Sequence, residues 1–213
     1  MNIDDIKREF PIFDDKIQNN DLVYLDSANS SQKPRVVVDR IYDFYTKEFS
    51  NVGRSVHYLA VAATNLYEQT RVSVQKYINA KDKDEIVFTK GATEAINLVA
   101  NTFGQKYLSE GDEVLLTELE HHSNYVPWHF LRKAKNIKIE FAEINDDGEV
   151  TLEAIEKKIT NKTKIISVSH LSNVTGAILP IKEIVQLAHS KNIPVLIDGC
   201  QGAPHLKLDM QDI

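Results

Sequence analysis

The hydrophobic pattern changes character near residue 80. Before it, apolar positions recur at helical spacing. Ile3, Ile6 and Phe10 form one such series, and Pro11 ends it. Pro34 can open a second helix that places Val37, Ile41, Phe44 and Tyr45 on one face. A third helix is predicted over about 60–79, aligning Leu66, Val74, Tyr77 and Ile78. Only residues 22–25, Leu-Val-Tyr-Leu, read as extended. From about residue 85 the pattern alternates. Short runs rich in Val and Ile predict strands at 85–89, 113–117, 138–142, 164–169 and 194–198. Helical segments are predicted between them at 93–107, 124–135, 151–159 and 181–191. Gly111-Asp112 and Asp147-Gly148 read as turns. The expectation is a helical segment over 1–80 and an α/β domain over 81–213, with a mainly parallel sheet covered by helices on both faces.

Composition narrows the function classes. The chain has 213 residues, 42% apolar and 26% charged, as in a soluble globular protein. A net charge of −6 without a long basic run argues against nucleic acid or an anionic membrane as partner. The start, MNIDDIKREFPIF, is too polar for a signal peptide, and no apolar run has the length of a membrane helix. The single cysteine, Cys200, excludes an intrachain disulfide and fits a reducing cytoplasm.

Ligands of open α/β sheets bind beyond the carboxyl ends of the strands, so the candidate chemistry lies there. After the strand at 85–89 comes Lys90-Gly-Ala-Thr-Glu94 and then a helix. Backbone N–H groups at Ala92 and Thr93, with the Thr93 hydroxyl, would suit a phosphate. A Gly turn with a Thr N-cap explains the same residues. The strand at 113–117 leads to Glu118-Leu-Glu-His-His-Ser-Asn124. Adjacent histidines point apart, which argues against a metal pair, and no metal is expected. One imidazole could lie flat on an aromatic ligand, or the loop could simply cap the next helix through Ser123 or Asn124. After 164–169, Asn173 could hydrogen-bond a ligand oxygen and Gly176 allows a close turn; an ordinary Asn turn is the alternative. The strand at 194–198 runs straight into Asp198, with Gln201 three residues on. A carboxylate there needs a partner: a protonated heterocycle nitrogen, an N-cap or an ion pair. The first strand is not followed by Gly-x-Gly-x-x-Gly, which disfavours a dinucleotide fold.

Taken together these blocks resemble fold-type I pyridoxal-phosphate (PLP) enzymes, specifically the class V aminotransferase family and its group II, SUF-type cysteine desulfurase and selenocysteine lyase branch. The matching stretches are Tyr24-Leu-Asp-Ser-Ala28, Phe88-Thr-Lys-Gly-Ala-Thr-Glu94, Asn97-Leu-Val-Ala100, Glu120-His-His-Ser-Asn124, Val126-Pro-Trp128, Ser172-Asn-Val-Thr-Gly176 and Asp198-Gly-Cys-Gln201. The resemblance implies the large domain of that fold, cut before its last strands. It implies that Ala92 and Thr93 bind the cofactor phosphate and that His122 stacks on the pyridine ring. Asp198 would pair with the ring nitrogen and Gln201 with the ring oxygen. Asn173 would sit near that oxygen or the substrate carboxylate, and His57 at the mouth of the site. The implied reaction converts L-cysteine to L-alanine and passes sulfur to an enzyme cysteine as a persulfide. A homodimer, a sulfur-acceptor protein and a place in iron–sulfur cluster assembly come with the family.

Two departures qualify this picture. The family's Schiff-base lysine is expected about two dozen residues beyond Asp198, and no lysine of these 213 residues, Lys207 included, matches it. The chain alone is therefore expected to be inactive. Cys200 stands where relatives carry a small residue and reads as a buried packing cysteine. The alternatives are a selenocysteine lyase, an aminotransferase, or a truncated product without catalysis.

Overall fold

The computed structural model describes residues 2–213. The chain divides into two compact units, Met1–Ser73 and Val74–Ile213. The first begins with α1 (Ile3–Arg8), whose N-terminus is capped by the Asn2 side chain. Pro11 opens a 3-10 turn at Pro11–Phe13. Strands β1 (Lys16–Ile17) and β2 (Asn20–Asp21) then form a tight antiparallel hairpin. Its two loop residues, Gln18 and Asn19, have φ of 52° and 64°, the left-handed geometry that matches strand twist in a two-residue hairpin. The extended piece expected at 22–25 joins neither sheet, because residues 16–21 make the pairing just before it. Pro34 precedes α2 (Arg35–Asp43), which continues as a π turn at Phe44–Glu48. The long helix α3 (Tyr58–Tyr77) crosses the boundary between the units.

The second unit departs from expectation at its start. Residues 85–89 do not form a strand. Asp82 and Glu85 close a capping box around a 3-10 turn, Lys83–Glu85, and Ile86 leaves it in an extended conformation. Glu85 is thus committed to the turn, and the segment lies outside the four-stranded sheet. The helix expected at 93–107 forms in three pieces: α4 (Ala92–Val99), a π stretch (Ala100–Gly104) and α5 (Gln105–Tyr107). A Cβ on Gly104 would lie 2.6 Å from Leu131 Cδ2, so glycine is what lets this stretch approach its neighbour.

The remaining elements follow the predicted alternation: β3 (Glu113–Thr117), a 3-10 turn (His122–Asn124), α6 (Val126–Lys135), β4 (Lys138–Ala142), α7 (Leu152–Lys158), β5 (Thr163–Ser169), α8 (Ile181–Ser190), β6 (Val195–Asp198) and the short α9 (Gly202–His205). Strands run in the order β4-β3-β5-β6, all parallel. Side chains alternate between two cores. Leu115, Ile166 and Val168 face Ile155 of α7 and Ile184, Val185 and Ala188 of α8. Val114, Leu116 and Ile165 face Ala100 of the π stretch and Trp128 and Leu131 of α6. Every residue of β3 is buried, which is why its sequence reads as a continuous run instead of an alternation. Each fully buried Leu or Ile here contributes about 1.5–3 kcal/mol.

Candidate active site

The carboxyl ends of β3, β5 and β6 lie side by side, and the candidate residues follow them. β6 ends on Asp198, paired in register with Ser169 at the end of β5. Asp198 is only 6% exposed. Its Oδ1 accepts the Cys200 backbone N–H at 3.0 Å, and its carbonyl accepts the His170 N–H at 3.0 Å. Cys200 itself is exposed, contrary to the packing role expected of it. The chain turns immediately after β6 to bring its N–H to Asp198, and that turn directs residue 200 away from the core. Burial and the neighbouring Asp198 carboxylate push the Cys200 thiol pKa up. Gln201 is half-buried at the start of α9.

The loop after β3 is ordered by one side chain that sequence reasoning passed over, Glu120. Its Oε1 accepts the Thr117 hydroxyl at 2.6 Å and the Ser169 N–H at 3.1 Å. Its Oε2 accepts Asn124 Nδ2 at 2.6 Å and the Ser169 hydroxyl at 2.8 Å. Burial pushes the Glu120 carboxyl up from its ordinary range, while these hydrogen bonds pull it back down. Asn124 is fully buried, and its Oδ1 accepts the Ser167 hydroxyl and the Trp128 indole N–H. The available signal was an acidic residue four before a buried-type Asn and three after a strand end.

His122 opens the 3-10 turn held by this network and is exposed. Neither Ser123 nor Asn124 caps the helix that follows, since α6 starts after Tyr125 without a side-chain cap; the 3-10 turn before it is capped by His121, whose Nδ1 accepts the Ser123 N–H at 3.2 Å. The two imidazoles lie 6.0 Å apart with planes tilted by 52°. Among the described residues no His, Cys, Asp and Glu group could hold a metal ion.

α4 packs against the His122 turn. Ala92 and Thr93 are its first two residues, and Thr93 is exposed. Its first intrahelical bond runs from Ala95 N–H to the Gly91 carbonyl, so the N–H groups of Ala92, Thr93 and Glu94 precede the helical ladder. The Glu94 carboxylate turns back to accept the Lys90 N–H at 2.6 Å. Asn173 is exposed at the tip of a turn built by Ser172, whose hydroxyl accepts the Val174 and Thr175 N–H groups at 3.2 Å each. Gly176, at φ 75°, closes that turn in a conformation that favours glycine. His57 belongs to the other unit, is exposed, and caps α3 by accepting the Ala60 N–H at 3.4 Å. A cleft of 540 Å³ lined by Thr160, Thr163, Lys164 and Lys191 opens at the opposite, amino edge of the sheet.

A covered parallel sheet, with a buried carboxylate and an ordered histidine turn at one edge, is the architecture of a PLP fold-type I large domain. The class V aminotransferase pattern matches residues 23–213, and the chain belongs to that family. Among curated proteins, a probable cysteine desulfurase of Halalkalibacterium halodurans is 45% identical over 100% of this chain and 52% of its own length. Among solved structures, an apo cysteine desulfurase of Thermococcus onnurineus matches with a TM-score of 0.90 at 34% identity, over 100% of this chain and 51% of that one. The cysteine desulfurase CsdA of Escherichia coli matches with a TM-score of 0.86 at 34% identity, over 99% and 52%. The chain thus spans about half the length of the relatives it matches.

Proposed function

We propose that these residues form the cofactor cradle of a PLP-dependent cysteine desulfurase of the SUF type. Its reaction takes L-cysteine to L-alanine and hands the sulfur to an enzyme cysteine and then to an acceptor protein for iron–sulfur cluster assembly. Names of relatives support the desulfurase class; the donor set supports the cofactor. The observation that carries the reading is the buried Asp198 carboxylate at the end of β6, supplied by the chain with the neutral Cys200 N–H. Such a group calls for a positive partner at its open side.

PLP, when bound, supplies an electron sink for the substrate Cα. Asp198 would hold the proton on its ring nitrogen. His122 would cover the ring face and limit its tilt. The amino end of α4, with Ala92, Thr93 and the Thr93 hydroxyl, would hold the phosphate. Gln201 and Asn173 would orient the ring oxygen and the substrate carboxylate. We place the working protein in the cytoplasm as a homodimer. These 213 residues alone are proposed to bind PLP reversibly and to release no alanine.

The test uses the complete encoded protein. Asp198→Ala should lower alanine formation from cysteine at least a hundredfold, with sulfide falling in parallel. Unchanged turnover would remove Asp198 from the mechanism, and a keto acid as product would replace desulfuration with transamination.

A further inference from the structure

We propose that Glu120 is a positioning residue for the cofactor: one half-buried carboxylate fastens the segment from Thr117 to the end of the His122 turn onto Ser169, the β5 residue beside Asp198. This rests on the PLP reading above. The geometry is specific. Thr117 ends β3, Asn124 ends the His122 turn, and Ser169 ends β5. All three donate to Glu120, Ser169 twice. Ser169 is also the register partner of Asp198. The group proposed to cover the ring face and the group proposed to hold its nitrogen are therefore connected through Glu120 and one strand pair.

A carboxylate is required, and an amide of the same shape fails for a stated reason. Each oxygen of Glu120 faces one donor that cannot reverse. Oε1 faces the Ser169 backbone N–H. Oε2 faces Asn124 Nδ2, and Asn124 cannot flip because its Oδ1 already accepts from Ser167 and Trp128. The Thr117 and Ser169 hydroxyls can rotate; these two N–H groups cannot. Glutamine in either orientation sets its NH2 against one of them, leaving a buried donor unsatisfied. The turn then has to move, and His122 moves with it.

The experiment compares Glu120→Gln with Asp198→Ala and His122→Ala in the complete protein. Three readouts are taken: PLP dissociation constant, visible circular dichroism of the bound cofactor, and apo-protein thermal unfolding. Glu120→Gln should keep a cooperative apo transition, weaken PLP about tenfold, the effect of one lost hydrogen bond to a charged group, and alter the dichroism. If Asp198→Ala and His122→Ala weaken PLP while Glu120→Gln leaves affinity and dichroism as in the parent, the positioning role is overturned. If Asp198→Ala and His122→Ala also leave PLP binding intact, the PLP reading itself falls. Should Glu120→Gln fail to fold, Ser169→Ala, which keeps the backbone N–H and removes one donor, decides. A threefold weaker PLP affinity with altered dichroism supports the role, and parent-like values overturn it.

Discussion

Residues 2–73 and 74–213 both carry helices but have very different interiors. In the second unit Trp128, Ile155 and Ile166 are fully buried, and β3 is buried along its whole length. In the first, Ala60 and Ala63 are the only buried residues among those described, while Leu25 and Val56 are 92% exposed and Tyr58 84%. Periodicity marks an element, but a core needs a second surface to close on. The parallel sheet offers two, one per face, and each is taken by helices. The short hairpin of the first unit offers none of comparable size.

The sharpest way to break this contrast is paired truncation. Trp128→Ala should cost about 3–5 kcal/mol of unfolding free energy, since the indole is fully enclosed and its N–H is bonded. Tyr58→Ala should stay within about 0.5 kcal/mol, as for other exposed positions. Denaturant midpoints measure both. A large loss at Tyr58 would mean that its face is covered in solution.

A smaller effect tests the carboxyl edge itself. A Cβ on Gly202 would lie 2.7 Å from His170 Nδ1, so Gly202→Ala forces the His170 ring or α9 to shift. An overpacked contact of this kind costs about 1–3 kcal/mol. The same change at Gly53, where a Cβ meets nothing within 4 Å, introduces no clash, although its φ of 130° still strains alanine. Comparing their thermal midpoints separates packing from backbone strain.

The sequence was most informative where one pattern met one environment. β3 and β4 have the predicted bounds because each is a compact apolar run followed by polar residues. β5 and β6 begin within one residue of expectation. The segment at 85–89 looked the same and formed no strand, because Glu85 is drawn into a capping box with Asp82. Propensity cannot see that competition. At the site, the order of blocks pointed to Asp198 and His122, yet Glu120 was overlooked. Its role depends on Ser169, 49 residues away, and no local pattern reports that contact. A small residue at this position in the family suggests packing for Cys200, while the turn toward Asp198 exposes it.

Acid titration offers a weaker test, confined to the second unit. Burial is the main reason the Glu120 carboxyl holds its proton to higher pH than its ordinary value of 4.5. Between the two values the folded state therefore binds more protons than the unfolded state. Stability contributed by this group is present below about 4.5 and is lost as pH rises through the folded value. Glu120→Gln should remove that part of the slope in unfolding free energy against pH. An unchanged slope would assign it to other carboxylates.

The smallest expected effect asks whether the two units also differ at their surfaces. Each carries a close exposed ion pair: Arg40–Glu48 at 2.6 Å in the first, Lys158–Glu143 at 2.8 Å in the second. The hydrogen bond between them is the main reason the Lys158 pKa is raised and the Glu143 pKa lowered. Both pairs are open to water, where Coulomb attraction is weak and ordering two long side chains opposes it. Salt at about 0.5 M shortens the screening length to a few ångströms and weakens what remains. Double-mutant cycles, Arg40→Ala with Glu48→Ala and Lys158→Ala with Glu143→Ala, should give couplings that are small, alike in the two units and reduced by salt. Equal couplings would confine the difference between the units to their apolar interiors. A salt-resistant coupling at Lys158–Glu143 alone would show that the sheet-bearing unit also shields its surface charges, and the contrast would then extend beyond the core.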